Sequence, residues 1–312
     1  MKLVLLTSSL SDANALEELK SKEDKAFVTD REIIGLTKNW DLYRSTEVTP
    51  SHVRAWLDQF SDNLERRLMF KLLENVTFYS EIKIREKLRI IHQFTKKDIT
   101  FSIKDDQRRS REFLLSSFDT PTKSSSSYAR MYAAENKVIS SHVASLENIP
   151  KSLDQDDEKR ISAIVFIDDI IASGKSIIDG IEKLNLICGK TIEERNIKVV
   201  IATICGLESG REAIERKVES KIPFKVEIYI CDTLDDSNRC FTDNSLVFDD
   251  EGERRRAKEI AQKYGVKLQK KLPLGFDGGQ LLVVFKDTCP NNSLPILWCH
   301  VESSWTPLFR RH

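Results

Sequence analysis

Two adjacent carboxylates, Asp168 and Asp169, close the apolar run 164–167 and open onto a short turn of Ala172, Ser173, Gly174, Lys175 and Ser176. The segment that follows, SIIDGIEKL, carries apolar residues at helical spacing. A short apolar run of this kind reads as a buried strand, and in open α/β sheets ligands bind where strand C-termini give way to loops. The acids therefore belong at such a rim. A small-residue turn that runs into a helix presents free backbone N–H groups and about half a positive charge, a setting for a phosphate monoester. Carboxylates accept hydrogen bonds from vicinal hydroxyls. A sugar phosphate supplies both partners, a diol at one end and a phosphate at the other. The plainer reading is a solvated turn with Ser173 as a helix cap.

Two nucleotide motifs fail on the same residues. The stretch SGKS suggests the phosphate loop G-x-x-x-x-G-K-[ST], but its leading glycine would fall at Asp169, where a carboxylate would face the phosphates. The dinucleotide fingerprint requires three glycines after its strand, and this loop has one.

The elements that must hold this site are legible from about residue 111 onward. The runs 111–118, 137–143, 161–167, 197–207, 225–233 and 280–287 are short and apolar. Helical stretches such as SSYARMYAAEN and EGERRRAKEIAQKYG lie between most of them. Strands alternating with helices predict an α/β fold, Rossmann-like, with a largely parallel sheet and helices on both faces. A small helical region precedes it. Thr49 and Pro50 suit an N-cap and a first helical position. Val53, Trp56, Leu57 and Phe60 then recur at helical spacing, followed by Leu64, Leu68, Leu72 and Leu73, and by Ile84, Leu88, Ile91 and Phe94. The expected division is 1–100, mainly helical, and 101–312, the α/β domain. Residues 1–48 have weak periodicity. Residues 144–160, ending in DQDDEKR, read as a mobile loop in place to act as a lid.

Bulk properties bound the function. The 312 residues are 40% hydrophobic, enough for a real core, and 49 Lys+Arg balance 49 Asp+Glu, so no global field attracts a nucleic acid or a membrane. No apolar run approaches the roughly 20 residues of a membrane span, and the start of the chain lacks a signal-peptide core. A soluble, cytoplasmic protein is expected. The six cysteines form no C-x-x-C pair and the five histidines no metal-binding spacing, so no metal site made of protein ligands is expected.

The run IVFIDDIIASGKS resembles the ribose-5-phosphate-binding motif of type I phosphoribosyltransferases. The resemblance implies that Asp168 and Asp169 hold the ribose hydroxyls of phosphoribosyl pyrophosphate, and that Ala172, Ser173, Gly174, Lys175 and Ser176 cradle its 5′-phosphate. Relative to the usual Thr-Thr-Gly-Gly-Thr run, a hydroxyl is lost at Ala172 and Lys175 replaces a glycine. The resemblance also implies a pyrophosphate loop after the first core strand. Lys123, Ser124, Ser125, Ser126 and Ser127, entering a helix with Tyr128 and Arg130, are the candidates; an ordinary serine-rich surface loop is the alternative. Such an enzyme, a glycosyltransferase of the pentosyl class, needs stabilisation of charge rather than a protein nucleophile. Mg²⁺ would enter bound to the substrate.

A second resemblance rests on PLGFDGGQLLVVFKDTCPNNSLPILW near the end of the chain, which looks like the terminus of phosphoribosyltransferase-like proteins of bacterial conflict systems, including retron-type anti-phage loci. It implies an antiviral effector. Asn291, Asn292 and Trp298 could read a flat base, or could be a self-bonded turn with the tryptophan in the core. Between Lys83 and Arg111 ten Lys/Arg face four acids. This stretch is a candidate contact for a nucleic acid or a reverse-transcriptase complex, against the plainer reading of a solvated helix face. A non-catalytic ribose-phosphate or nucleotide-binding regulatory module is the alternative to an enzyme.

Overall fold

The computed structural model describes residues 27–101, 112–118, 124–157 and 160–311. In chain order it contains α1 (Asp30–Thr37), α2 (Pro50–Leu57), α3 (Asn63–Glu74), β1 (Thr77–Tyr79), α4 (Glu81–Phe101), β2 (Glu112–Ser116), α5 (Ser124–Glu135) and α6 (Ile149–Asp154). It continues with β3 (Ile161–Ile171), α7 (Lys175–Glu194), β4 (Lys198–Leu207), α8 (Glu208–Lys221), β5 (Val226–Leu234), α9 (Glu251–Leu268), β6 (Val283–Phe285) and α10 (Pro295–Trp298). Backbone contacts group these into two compact units. One joins the chain up to Phe78 with the chain from Ser237 onward; the other is Tyr79–Asp236.

The unit Tyr79–Asp236 is built on a four-stranded sheet in the order β2-β3-β4-β5, every pair parallel. Strands buried on both sides need apolar residues at every position, and β4 is buried from Val199 to Leu207. On one face Ile164, Phe166, Val199 and Ile201 pack with Ile149 and Leu153 of α6, Ile177, Ile181 and Leu184 of α7, and Ile214 of α8. The alternate positions Ala163, Val165 and Ile167 are equally buried, and α4 and α5 pack on the strands as well. Val143 adds a single parallel bridge to Leu115 on the outer side of β2. With that bridge the sheet runs in the chain order 2-1-3-4-5, whose switch point falls between β2 and β3.

The other unit gathers the first helices and the C-terminal segment around one apolar cluster that includes Trp56, Phe60, Trp305 and Phe309. Trp56 and Trp305 both donate their indole N–H to the carbonyl of Ile296, at 2.9 and 3.1 Å. Thr49 caps α2 as expected, accepting from the amide of His52, with Pro50 at the first helical position.

Several expectations are corrected. The three helices expected over 49–95 form, but the third, α4, groups with the sheet. Leu64 is exposed, and Met69 and Phe70 are buried in α3 beside Leu68, Leu72 and Leu73. Phe94 is half-exposed and stacks on Tyr229, with ring centroids 6.1 Å apart. The run 137–143 yields a 3₁₀ turn and one bridge instead of a strand. The run 280–287 yields the short β6, which pairs with β1 outside the main sheet. The segment 144–160, expected as a loop, is helical over much of its described part. Leu146, Ile149 and Leu153 sit at helical spacing and bury against α7 and the sheet, a pattern hidden by the polar composition around them.

Candidate functional site

Strand β3 is longer than its apolar run. Its pairing with β2 stops at Ser116↔Phe166, whereas its pairing with β4 continues to Ile171↔Gly206. Asp168 and Asp169 therefore do not end the strand, as the sequence suggested. They lie inside it, on the stretch that has outrun β2, because Ile170 and Ile171 continue the ladder on β4. This uncovered stretch borders the switch point of the sheet. Asp168 is half-buried, and its Oδ1 accepts the amide of Asp169 at 2.9 Å. Asp169 is buried.

The neighbouring strand ends add charge. Burial, then the adjacent carboxylates of Asp169 and Asp232, push the thiol of Cys205 well above its ordinary range. Tyr79 donates its hydroxyl to Asp232 Oδ2 at 3.0 Å, and Lys87 of α4 forms an ion pair with the same carboxylate. Acid at the C-terminal edge of the sheet is thus balanced from α4 at Asp232.

The five loop residues follow directly. Ala172 and Gly174 are buried, Ser173 half-buried, and Lys175 and Ser176 exposed in the first turn of α7. Gly174 is the N-cap, with φ +75°, and its carbonyl accepts the amide of Ile178 at 2.9 Å. The amides of Lys175, Ser176 and Ile177 precede that first intrahelical bond and have no carbonyl within the helix to bond. Gly210, in the first turn of α8, makes the loop possible. A Cβ there would stand 2.2 Å from the carbonyl oxygen of Ala172, and one on Gly174 would stand 2.7 Å from the carbonyl oxygen of Gly210. The loop rests backbone on backbone against α8.

The second candidate loop leads into α5, which opens at Ser124 and Ser125 with Ser126 buried in its first turn. Lys123 lies outside the described residues. Arg130 is exposed and Tyr128 buried. Both α5 and α7 follow the C-terminal ends of adjacent parallel strands, so their positive ends share one rim. Phe118 ties that rim together: its ring stacks on Phe166, centroids 4.0 Å apart and planes 5° from parallel. A Cβ on Gly180 of α7 would fall 2.3 Å from Phe118. Phe118, Gly180 and Gly210 were not anticipated. A glycine inside a helical pattern, as at Gly180, was the available signal of close packing.

In the described part of the basic stretch, Arg85, Lys87 and Arg89 are ion-paired. Arg85 pairs with Glu81 and Glu135, Arg89 with Glu135 and Lys87 with Asp232; Lys104, Arg108, Arg109 and Arg111 lie outside the described residues. The C-terminal segment takes the self-bonded form. Asn292 Nδ2 donates to the carbonyl of Phe276 at 3.2 Å, Ser293 Oγ to that of Val283 at 2.8 Å, and the indole of buried Trp298 to that of Ser293 at 2.9 Å. These side chains are spent on their own backbone, and the base-reading expectation for Asn292 and Trp298 is withdrawn.

Among the described residues, no group of three or more His, Cys, Asp or Glu could hold a metal ion, and no helix is long and apolar enough to cross a membrane. A family model described as PRTase-CE matches residues 53–311. No curated protein and no solved structure matches the chain significantly.

Proposed function

Because the chain belongs to the phosphoribosyltransferase-like family PRTase-CE, we propose that its site binds phosphoribosyl pyrophosphate, or a closely related ribose phosphate, at the switch point of the sheet. One observation carries the reading. The acid pair occupies the stretch of β3 that β2 leaves uncovered, and the chain passes from it directly into a glycine-capped helix start. Asp168 and Asp169 receive the ribose hydroxyls. The amides of Lys175 and Ser176, with the hydroxyls of Ser173 and Ser176 and the Lys175 ammonium, receive the 5′-phosphate. The loop entering α5, from Lys123 through Ser124, Ser125 and Ser126, is the place for the pyrophosphate.

The oxygen donors of the acid pair suit Mg²⁺, which would arrive bound to the pyrophosphate and ribose oxygens of the substrate. Bound there, it would neutralise charge on the departing pyrophosphate. The work of the chain itself is to orient the ribose and to hold both phosphate ends against helix N-termini. The family resemblance, not a side chain described above, extends this reading to an effector of a bacterial anti-phage system. Its partner would be a nucleic acid or the reverse-transcriptase complex of a retron. Loss of phage restriction by an acid-pair variant in a host carrying the whole locus tests that extension.

Calorimetric titration of the purified chain with phosphoribosyl pyrophosphate and Mg²⁺, beside the variant Asp168→Asn/Asp169→Asn, tests the core proposal. Binding that disappears in a folded variant is expected. Equal affinity in the two proteins would discard the assignment.

A further inference from the structure

Thr203 of β4 stands in register with Asp168 of β3. It is fully buried, yet its hydroxyl oxygen has no hydrogen-bond partner among the described residues. Alternation along β4 puts Thr203 on the face of Val199 and Ile201, and alternation along β3 puts Asp168 on the face of Ile164 and Phe166. Those four apolar residues belong to one cluster. Neighbouring strands run about 4.8 Å apart, so Thr203 and Asp168 are side-by-side neighbours on one face of the sheet.

A buried hydroxyl without a partner carries its full cost of desolvation, which a valine of the same shape would avoid. Stability alone therefore argues against threonine here. The other in-register neighbour of Thr203 is Ile230, whose side chain accepts nothing. Of the two side chains that flank it in register, only the Asp168 carboxylate can take its proton.

We infer that Thr203 is a positioning residue for Asp168, its hydroxyl donating to the carboxylate when that acid turns to receive the ribose hydroxyls. The donor is buried and without a partner among the described residues, and is engaged in the loaded state. It acts through Asp168 and does not touch the ligand. This inference rests on the ribose-phosphate reading above.

The test titrates the full chain and its variants Thr203→Val and Thr203→Ser with phosphoribosyl pyrophosphate and Mg²⁺, and records their thermal midpoints. The valine variant should melt at or above the wild-type midpoint and bind about tenfold to a hundredfold more weakly, the range expected for a hydrogen bond to a charged group. The serine variant, which keeps the hydroxyl, should recover most of that affinity. A valine variant that binds as tightly as the wild type overturns the inference and leaves the ribose-phosphate reading standing. A valine variant whose midpoint falls in step with its affinity assigns the hydroxyl a structural role and also overturns it. Absence of binding by the wild type, which discards the reading of the site itself, removes both.

Discussion

Phe118 and Phe166 lie ring on ring, 4.0 Å between centroids, and so fasten the residue that leaves β2 to the strand position two residues before the acid pair. The two candidate anion loops start from these strands, so the stack sets their spacing. Gly180 of α7 closes the other side of Phe118. Phe118→Ala removes the stack and opens space beside Gly180, at a cost of about 2 kcal/mol for a partly buried ring. The expected outcome is a midpoint lower by several degrees, together with an affinity for phosphoribosyl pyrophosphate reduced more than tenfold at temperatures where the variant is still folded. Thermal melts and calorimetry on the same sample separate the two effects. Undiminished affinity would mean that the stack serves stability alone.

The contact between the candidate loop 172–176 and α8 has no slack. Gly210→Ala would drive a methyl group to 2.2 Å from the Ala172 carbonyl oxygen, a backbone atom that moves only if the loop moves. Gly174→Ala adds the strain of a left-handed φ, worth about 1 kcal/mol, to a contact of 2.7 Å with the Gly210 carbonyl. Both variants should lose ribose-phosphate binding. Gly278, whose Cβ would meet nothing within 4 Å despite its φ of +59°, is the control for left-handed strain alone. Gly278→Ala should lower the midpoint slightly and leave binding intact. Equal binding losses in all three would point to general destabilisation instead of a displaced loop.

The strongest signals in the sequence were those that physics makes local. A β-branched run flanked by acids announces a buried strand at a rim, and Thr49-Pro50 announces a helix start; both are realised. Pairing partners are not local. Nothing in the composition of β3 says that β2 will stop at Phe166 while β4 continues, yet that difference puts the acids inside the strand and on its uncovered edge. The segment 144–157 hides its helical packing for a related reason. Its three core residues are outnumbered by charges, and one of those charges, Asp156, turns out to organise backbone instead of facing water. The glycines at 174, 180 and 210 needed the fold itself, because each is defined by what approaches it from another element.

Asp156 supplies a prediction about acid stability. Burial works to raise the pKa of its carboxyl, but the amides of Ile161 and Arg160, each at 2.9 Å, and the guanidinium of Arg195 hold it below the ordinary carboxylate range. A carboxyl with a depressed native pKa binds its proton more readily in the unfolded chain. Its contribution is therefore complete above the unfolded value of about 4 and is lost as the pH falls through the native value. Asp156→Asn leaves Arg195 without its ion-pair partner in a mostly buried setting, with only its bond to the Leu153 carbonyl, for a loss of about 3 kcal/mol near neutrality. Denaturant titrations from pH 7 to pH 3 should show the gap between variant and wild type closing at the acid end. A gap that stays constant over that range would exclude the carboxylate as its source.

The cysteines permit a chemical check on the packing of the site. All six are free, five of them buried and Cys231 half-buried. Burial pushes the thiols of Cys188 and Cys231 up to about 11, and those of Cys205 and Cys240 further. A thiol titrating near 11 is about one part in a thousand thiolate at pH 8, and the thiolate is the reactive form. A disulfide reagent should thus label the native protein slowly, Cys231 first because it is the most accessible, and label all six at once in guanidinium. Cys205 is the informative residue, since it stands in register with Ile170, the residue that follows the acid pair on β3. Its labelling should require global unfolding, with a rate that follows the denaturant dependence of the whole Tyr79–Asp236 unit. Mass spectrometry of partially labelled protein reads the order directly, and early modification of Cys205 would show that the sheet edge carrying the acids opens well before the unit unfolds.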